Sequence, residues 1–211
     1  MKSSTTNPKD FAVEFAGTEA YLEVPFIPDL NPTPMGLGFT VELWVKPNPN
    51  GGSDRHGLVS SHHFDSITSQ QGYEVGLLKV QGQQHQQIYG RVYGGPAATI
   101  SEIFVQPDDG DGDPSDWRYI AFKYEFVSGK GYLLRLRARV VNSANVYTKE
   151  STAAILYENV TPAKQSTLRF GGTHLQPPGT SSVLAGQLDN IAIYAAPVPD
   201  TELDLRFTFV Q

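Results

Sequence analysis

The stretch Phe39 to Pro47, FTVELWVKP, constrains the fold more than any other. Phe39, Val41, Leu43 and Val45 fall on one face and Thr40, Glu42, Trp44 and Lys46 on the other, the period of two that marks a half-buried strand. β-Branched and aromatic side chains fit such a pleated surface with one dry side. Pro47 and the NPNPNGGSD run behind it cannot continue a ladder, so the strand stops there. It is expected to be central. Its second face, with Glu42, Trp44 and Lys46, is part of a site if that face is open; under a second layer, function moves to the loops.

The same alternation recurs. Phe11 to Phe15 and Tyr21 to Val24 are expected to form a hairpin turned at Gly17. PFIPDLNPTPMGLG carries four prolines, which excludes helix and places it on the surface. GLVSS and GYEVGLLKV are strands around HHFDSITSQQ, a polar loop of the kind that carries binding groups. QGQQHQQ is a hairpin tip between strands, and IYGRVY and TISEIFV continue the pattern. WRYIAFKYEF and YLLRLRARVV pair across VSGKG. One turn of helix is expected near STAAILY, then strands at TLRFGG and GQLDNIAIYA. Asp200 caps a short helix through TELDL, and RFTFV returns to the sheet.

No segment is long enough for a helical crossover between parallel strands, so antiparallel pairing is expected. About a dozen short strands without internal repeat predict an all-β fold, a two-sheet antiparallel jelly-roll sandwich rather than a propeller. Residues 1–10 read as a flexible arm and residues 11–211 as one sandwich domain.

A chain of 211 residues buries enough surface to need no staple, and it has no cysteine. That excludes disulfides, thiolate metal sites and cysteine nucleophiles. A net charge of -6 argues against nucleic acid and against polybasic membrane docking. MKSSTTNPKD has no apolar core and no run is long enough to cross a bilayer, so a soluble chain without membrane insertion or visible secretory signal is expected.

Three groups of side chains carry candidate chemistry. Asp108, Asp109, Asp111, Asp113 and Asp116 place five carboxylates within nine residues, with Gly110 and Gly112 letting the backbone curl. Hard oxygens at alternate positions suit calcium, and Asp109, Asp111 and Asp113 are the candidate ligands. The EF-hand pattern fails because Ile120 stands where its closing glutamate belongs, and a solvated turn is the other reading. In YLLRLRARV, Tyr132, Leu134, Leu136 and Ala138 share one face and Arg135, Arg137 and Arg139 the other. Such a stripe binds anionic sugars or acidic peptides, or is neutralised by Glu125 and Glu42 across strands. Tyr89 and Tyr93 flank Arg91, and with Trp44 they are candidate aromatic platforms for a sugar ring; covering a sheet edge is the alternative for Trp44. The scattered histidines show no zinc spacing. Catalysis has no support: no strand carries paired carboxylates at alternate positions, and no nucleophile elbow or phosphate loop occurs.

FTVELWVKP, GYEVGL, WRYIAFKY, LRFGG and GQLDNIAIYAAPVPDTEL, in that order from about Phe11 to Leu203, resemble the laminin-G-like, concanavalin A-like jelly-roll domains, close also to the pentraxins. The resemblance implies a curved sandwich used mostly as a non-catalytic module that binds glycans or proteins and often holds a calcium ion at its rim. It implies an extracellular, cell-surface or virion setting. It also adds Asp189 as a metal candidate, with the Gly17 to Glu19 turn as neighbour and with strand periodicity placing Asp189 on the face of Ile191 and Ile193. A lectin with a glycan or glycoprotein partner is the leading expectation. A structural, adhesion or self-assembling protein is the alternative, and a divergent glycoside hydrolase a more distant one.

Overall fold

The computed structural model describes residues 12–17, 20–30, 38–51, 54–66, 69–94, 100–107, 113–141, 146–155, 167–173 and 182–209. The strands are β1 (Val13–Ala16), β2 (Leu22–Val24), β3 (Gly38–Pro47), β4 (Arg55–Ser60), β5 (His63–Ser66), β6 (Ser69–Leu78), β7 (Gln87–Tyr93), β8 (Ile100–Val105), β9 (Trp117–Val127), β10 (Gly131–Val141), β11 (Val146–Ala154), β12 (Leu168–Phe170) and β13 (Ala185–Tyr194). A 3-10 turn covers Pro28–Leu30, and helix α1 covers Asp200–Phe209. The six-stranded sheet runs β1-β13-β3-β9-β10-β11 and the seven-stranded sheet β2-β12-β4-β6-β7-β8, with β5 added on β6. Every described pairing is antiparallel, and the sheets face each other as a sandwich.

The core follows from alternation. Phe39, Val41, Leu43 and Val45 of β3 are fully buried, and β9 and β10 add Ile120, Phe122, Tyr124, Leu134, Leu136 and Ala138. From the facing sheet come Tyr73, Val75, Leu77, Ile88, Val92 and Ile103 in one continuous cluster. Gly90 lets the sheets approach, because a Cβ there would meet the Phe122 ring at 2.4 Å.

Several local expectations are corrected. β1 and β2 form no hairpin: β1 pairs with β13 and β2 with β12, in different sheets. In the proline-rich segment, exposed at residues 25–28 as expected, the described residues Pro28–Leu30 form a 3-10 turn. The HHFDSITSQQ loop contributes β5 and the start of β6. Ser151 to Ala154 belong to β11, because they complete the ladder with β10 as far as Leu133. RFTF extends α1 instead of rejoining a sheet. Among the described residues no helix is long and apolar enough to cross a membrane. The N-terminal arm lies outside the described residues.

Candidate functional site

Over the middle of β3 the outer face of the six-stranded sheet is covered. β3 is buried on both faces, with Thr40 0 % and Glu42 and Trp44 7 % exposed, because α1 lies across it. Trp44 stacks on Phe207 with centroids 5.6 Å apart and 10° between planes, and Tyr119, Val198 and Leu203 complete this second apolar cluster. Trp44 is therefore not a solvent-facing platform, which corrects the expectation from alternation: the other side of the strand meets a helix.

The arginine stripe is held in the same way. Arg135 lies 2.5 Å from Glu125 Oε1, and its Nη1 donates to Asp200 at 3.4 Å. Arg137 donates to Glu150 at 2.8 Å and to Asp204 at 3.0 Å, while Arg139 donates to Asp204 and stands 4.5 Å over the Phe207 ring. Lys123 completes the contact with Asp200. Burial acts to raise the Asp200 pKa, but Lys123, Arg137 and Arg135 outweigh it and hold the carboxyl below its ordinary value. Glu42, expected opposite the stripe, instead accepts from Tyr119 at 2.7 Å, Tyr194 at 2.7 Å and Arg206 at 3.0 Å. Arg135, Arg137 and Arg139 thus meet the acidic side of α1 as well as Glu125 and Glu150.

Tyr89, Arg91 and Tyr93 project from the outer side of β7, as alternation requires, but the tyrosines are 0 % and 2 % exposed. They surround Glu74 of β6, also fully buried, which accepts from the Tyr89 hydroxyl and, at 3.4 Å, from that of Tyr93. Arg55 Nε donates to the Tyr89 hydroxyl at 3.0 Å, and the Arg55 and Arg91 guanidiniums stand 4.7 and 4.8 Å from the Tyr89 ring. His62 stacks on Tyr93 at 3.9 Å. Burial raises the Glu74 pKa in spite of Arg55 and the two hydroxyls, and it raises Tyr89 well above its ordinary range. Neither tyrosine ring is an open platform, so that expectation is corrected too; Arg91 is partly exposed and pairs with Glu102 at 2.8 Å. GYEVGL already placed Glu74 on the outer face, yet nothing in it marked the residue as buried.

Asp109 and Asp111 lie outside the described residues. Asp113 is exposed and forms its own turn: its Oδ1 accepts from Ser115 N at 2.8 Å and Ser115 Oγ at 2.6 Å, which lower its pKa. Asp189 does not share the face of Ile191 and Ile193. Leu188 pairs with Val45 and Ile193 with Val41, so β13 takes five steps where β3 takes four. The extra residue forms a bulge at Asn190, whose φ of 48° is left-handed. That resets the alternation and leaves Asp189 opposite Trp44, with its Oδ1 accepting from Asn190 N at 2.7 Å. Among the described residues no three histidine or carboxylate side chains are grouped to hold a metal ion.

An open cleft of about 410 Å³ lies at the rim of the six-stranded sheet. Its floor is a cross-strand row: Glu14 of β1 stands opposite Gln187 of β13, and Gln187 opposite Lys46 of β3. Directly opposed side chains of this kind sit about 5 Å apart. Asn48 shapes one wall, its Oδ1 accepting from Asn50 N at 3.0 Å. Asp113 and Ser115 line the cleft from the turn before β9. Gly186 keeps it open: its φ is +143°, and a Cβ there would meet the Lys46 carbonyl at 2.3 Å. Behind the turn, Arg118 is fully buried, with the Asp116 carboxylate close enough to favour its charge. Its Nη2 donates to the Pro114 carbonyl at 2.8 Å and its Nη1 to the Gln86 carbonyl at 3.3 Å, tying the turn to the opposite sheet. Burial pulls its pKa down to about 10, so it remains a cation at neutral pH.

The row differs from the arginine stripe in one respect. The side chains of Glu14, Gln187 and Lys46 make no hydrogen bond or ion pair with the described residues, so their polar atoms are left for solvent or a ligand. Strand register brings the three together from positions far apart in sequence; of this cleft the sequence marked Asp113 as a metal candidate and Lys46 on the outer face of β3. Searches against protein-family models and against curated proteins find no match.

Proposed function

We propose that this chain is a non-catalytic carbohydrate-binding module, lectin-like in action, with its glycan site in the rim cleft. The observation that carries the reading is the uncommitted row Glu14, Gln187 and Lys46, flanked by Asn50 and Asp113. Carboxylate, amide and ammonium side by side offer acceptors and donors for sugar hydroxyls, and Pro49 supplies apolar surface beside them. The order of the strand motifs, with its resemblance to laminin-G-like and concanavalin A-like domains, supports the same class.

Calcium enters as a variable to be measured, through Asp109 and Asp111 together with Asp113. A glycan array probed with and without calcium tests the reading. Saturable binding that is lost in Gln187→Ala is expected, and no binding to any glycan would sink it. Calorimetry with calcium alone decides whether the metal belongs to the site.

A second reading, protein contacts or self-assembly, is favoured by β11. Among the described residues this strand pairs on one side only, contains no proline and exposes alternate side chains along its length. Concentration-dependent sedimentation, abolished by Thr148→Pro, is its signature.

A further inference from the structure

We infer that the cleft is built for a glycan bearing a protonated amine, with Glu14 as its counter-ion; this rests on the glycan reading above. The row is asymmetric. Asp113 lines the same cleft as Lys46, whose charge adds a little to the lowering of the Asp113 pKa that Ser115 mainly causes, so this ammonium already has an acidic neighbour. Glu14, two strands away across Gln187, has no cationic partner among the described residues. Two carboxylates against one ammonium leave the lining with a formal charge of -1, borne at the Glu14 end.

A uronate or sulfated sugar would bring a second anion to that end and be repelled. A neutral sugar would use the hydroxyl-binding groups but leave Glu14 unpaired. A hexosamine with a free amine satisfies both ends, its ammonium at Glu14 and its hydroxyls at Gln187, Asn50 and Lys46. Charge-assisted bonds to the carboxylate are the stronger kind, although an exposed pair is discounted by solvent.

The test is calorimetry on the whole chain with a glucosamine oligomer, its N-acetylated counterpart, an oligouronate of equal length and an oligolysine. The free-amine sugar is expected to bind best, by about three- to tenfold over the N-acetylated form. In Glu14→Gln that preference disappears. It also fades in the native protein as pH rises through the amine's own pKa, a response that a structural role for Glu14 would not produce. Equal binding of the free and acetylated sugars, unchanged in Glu14→Gln, overturns the inference and leaves the glycan reading standing. Tightest binding of the oligouronate, or oligolysine bound as well as the amino sugar, overturns it too. Binding of no sugar at all removes both. Glu14 is exposed on an edge strand, so its substitution leaves the fold intact, which a circular dichroism spectrum verifies.

Discussion

Glu74 is a carboxyl in the wrong solvent. Burial raises its pKa above the ordinary 4.5, so the folded state holds a proton that the unfolded state has released. The native chain then binds more protons than the unfolded one between those two values, and stability falls as pH rises through that window. The contribution is complete below about pH 4.5 and is lost above the folded-state pKa. Glu74→Gln keeps the shape and an acceptor for the tyrosine hydroxyls while removing the titration. Its melting temperature, followed against pH, is expected to lack this fall; a parallel fall in both proteins would show that Glu74 is not its source. Asn190 gives a second prediction at this scale. Its left-handed φ is tolerated by asparagine and glycine, whereas a β-branched side chain there costs about 1–2 kcal/mol. Urea midpoints should separate Asn190→Val from native by that amount and leave Asn190→Gly nearly unchanged.

Among the elements, β3 and the β9–β10 hairpin were legible because strict alternation and a glycine turn fix both face and register. α1 was half legible. Asp200 marks its start, but few residues on it are apolar, and much of its hold comes from Asp200 and Asp204 meeting side chains some 65 residues distant. No local pattern records such a pairing. For the same reason the arginine stripe looked available and the Trp44 face looked open. The rim row was illegible on two counts: it needs the register of three strands, and it needs the Asn190 bulge, which a constant period of two along GQLDNIAIYA misplaces. Asp204→Asn is the test of α1's hold. Asp204 is nearly half exposed, so a loss of only about 1 kcal/mol is expected, with a red shift of Trp44 emission read in a Trp117→Phe background. Unchanged emission would mean that the Trp44–Phe207 stack holds the helix alone.

At the scale of the molecule, the described strand residues present no exposed aromatic face. Phe126, 48 % exposed at the end of β9, is an isolated case. Among the described residues the β11 edge and the rim cleft are open, and the site proposed above lies at that rim, where three strands meet. Arg118 is central to that rim. Replacing it with methionine should free the Asp113 turn from the facing sheet, costing about 1–3 kcal/mol through the lost carbonyl contacts. Glycan affinity should fall with it, and the lysine variant should recover part of both. Stability lost with affinity unaltered would make Arg118 a purely structural tie.

The pairing of first strands with last also dictates a timetable. Among the described residues β1 pairs with β13 and β2 with β12, and α1 covers the Trp44 face. During synthesis neither sheet closes until β12 and β13 have followed the other strands, so an unsealed aromatic surface persists until they and α1 are made. Refolding should accordingly be governed by long-range closure, in milliseconds to seconds and not microseconds. Chains halted before Asp200 should clump instead of waiting folded.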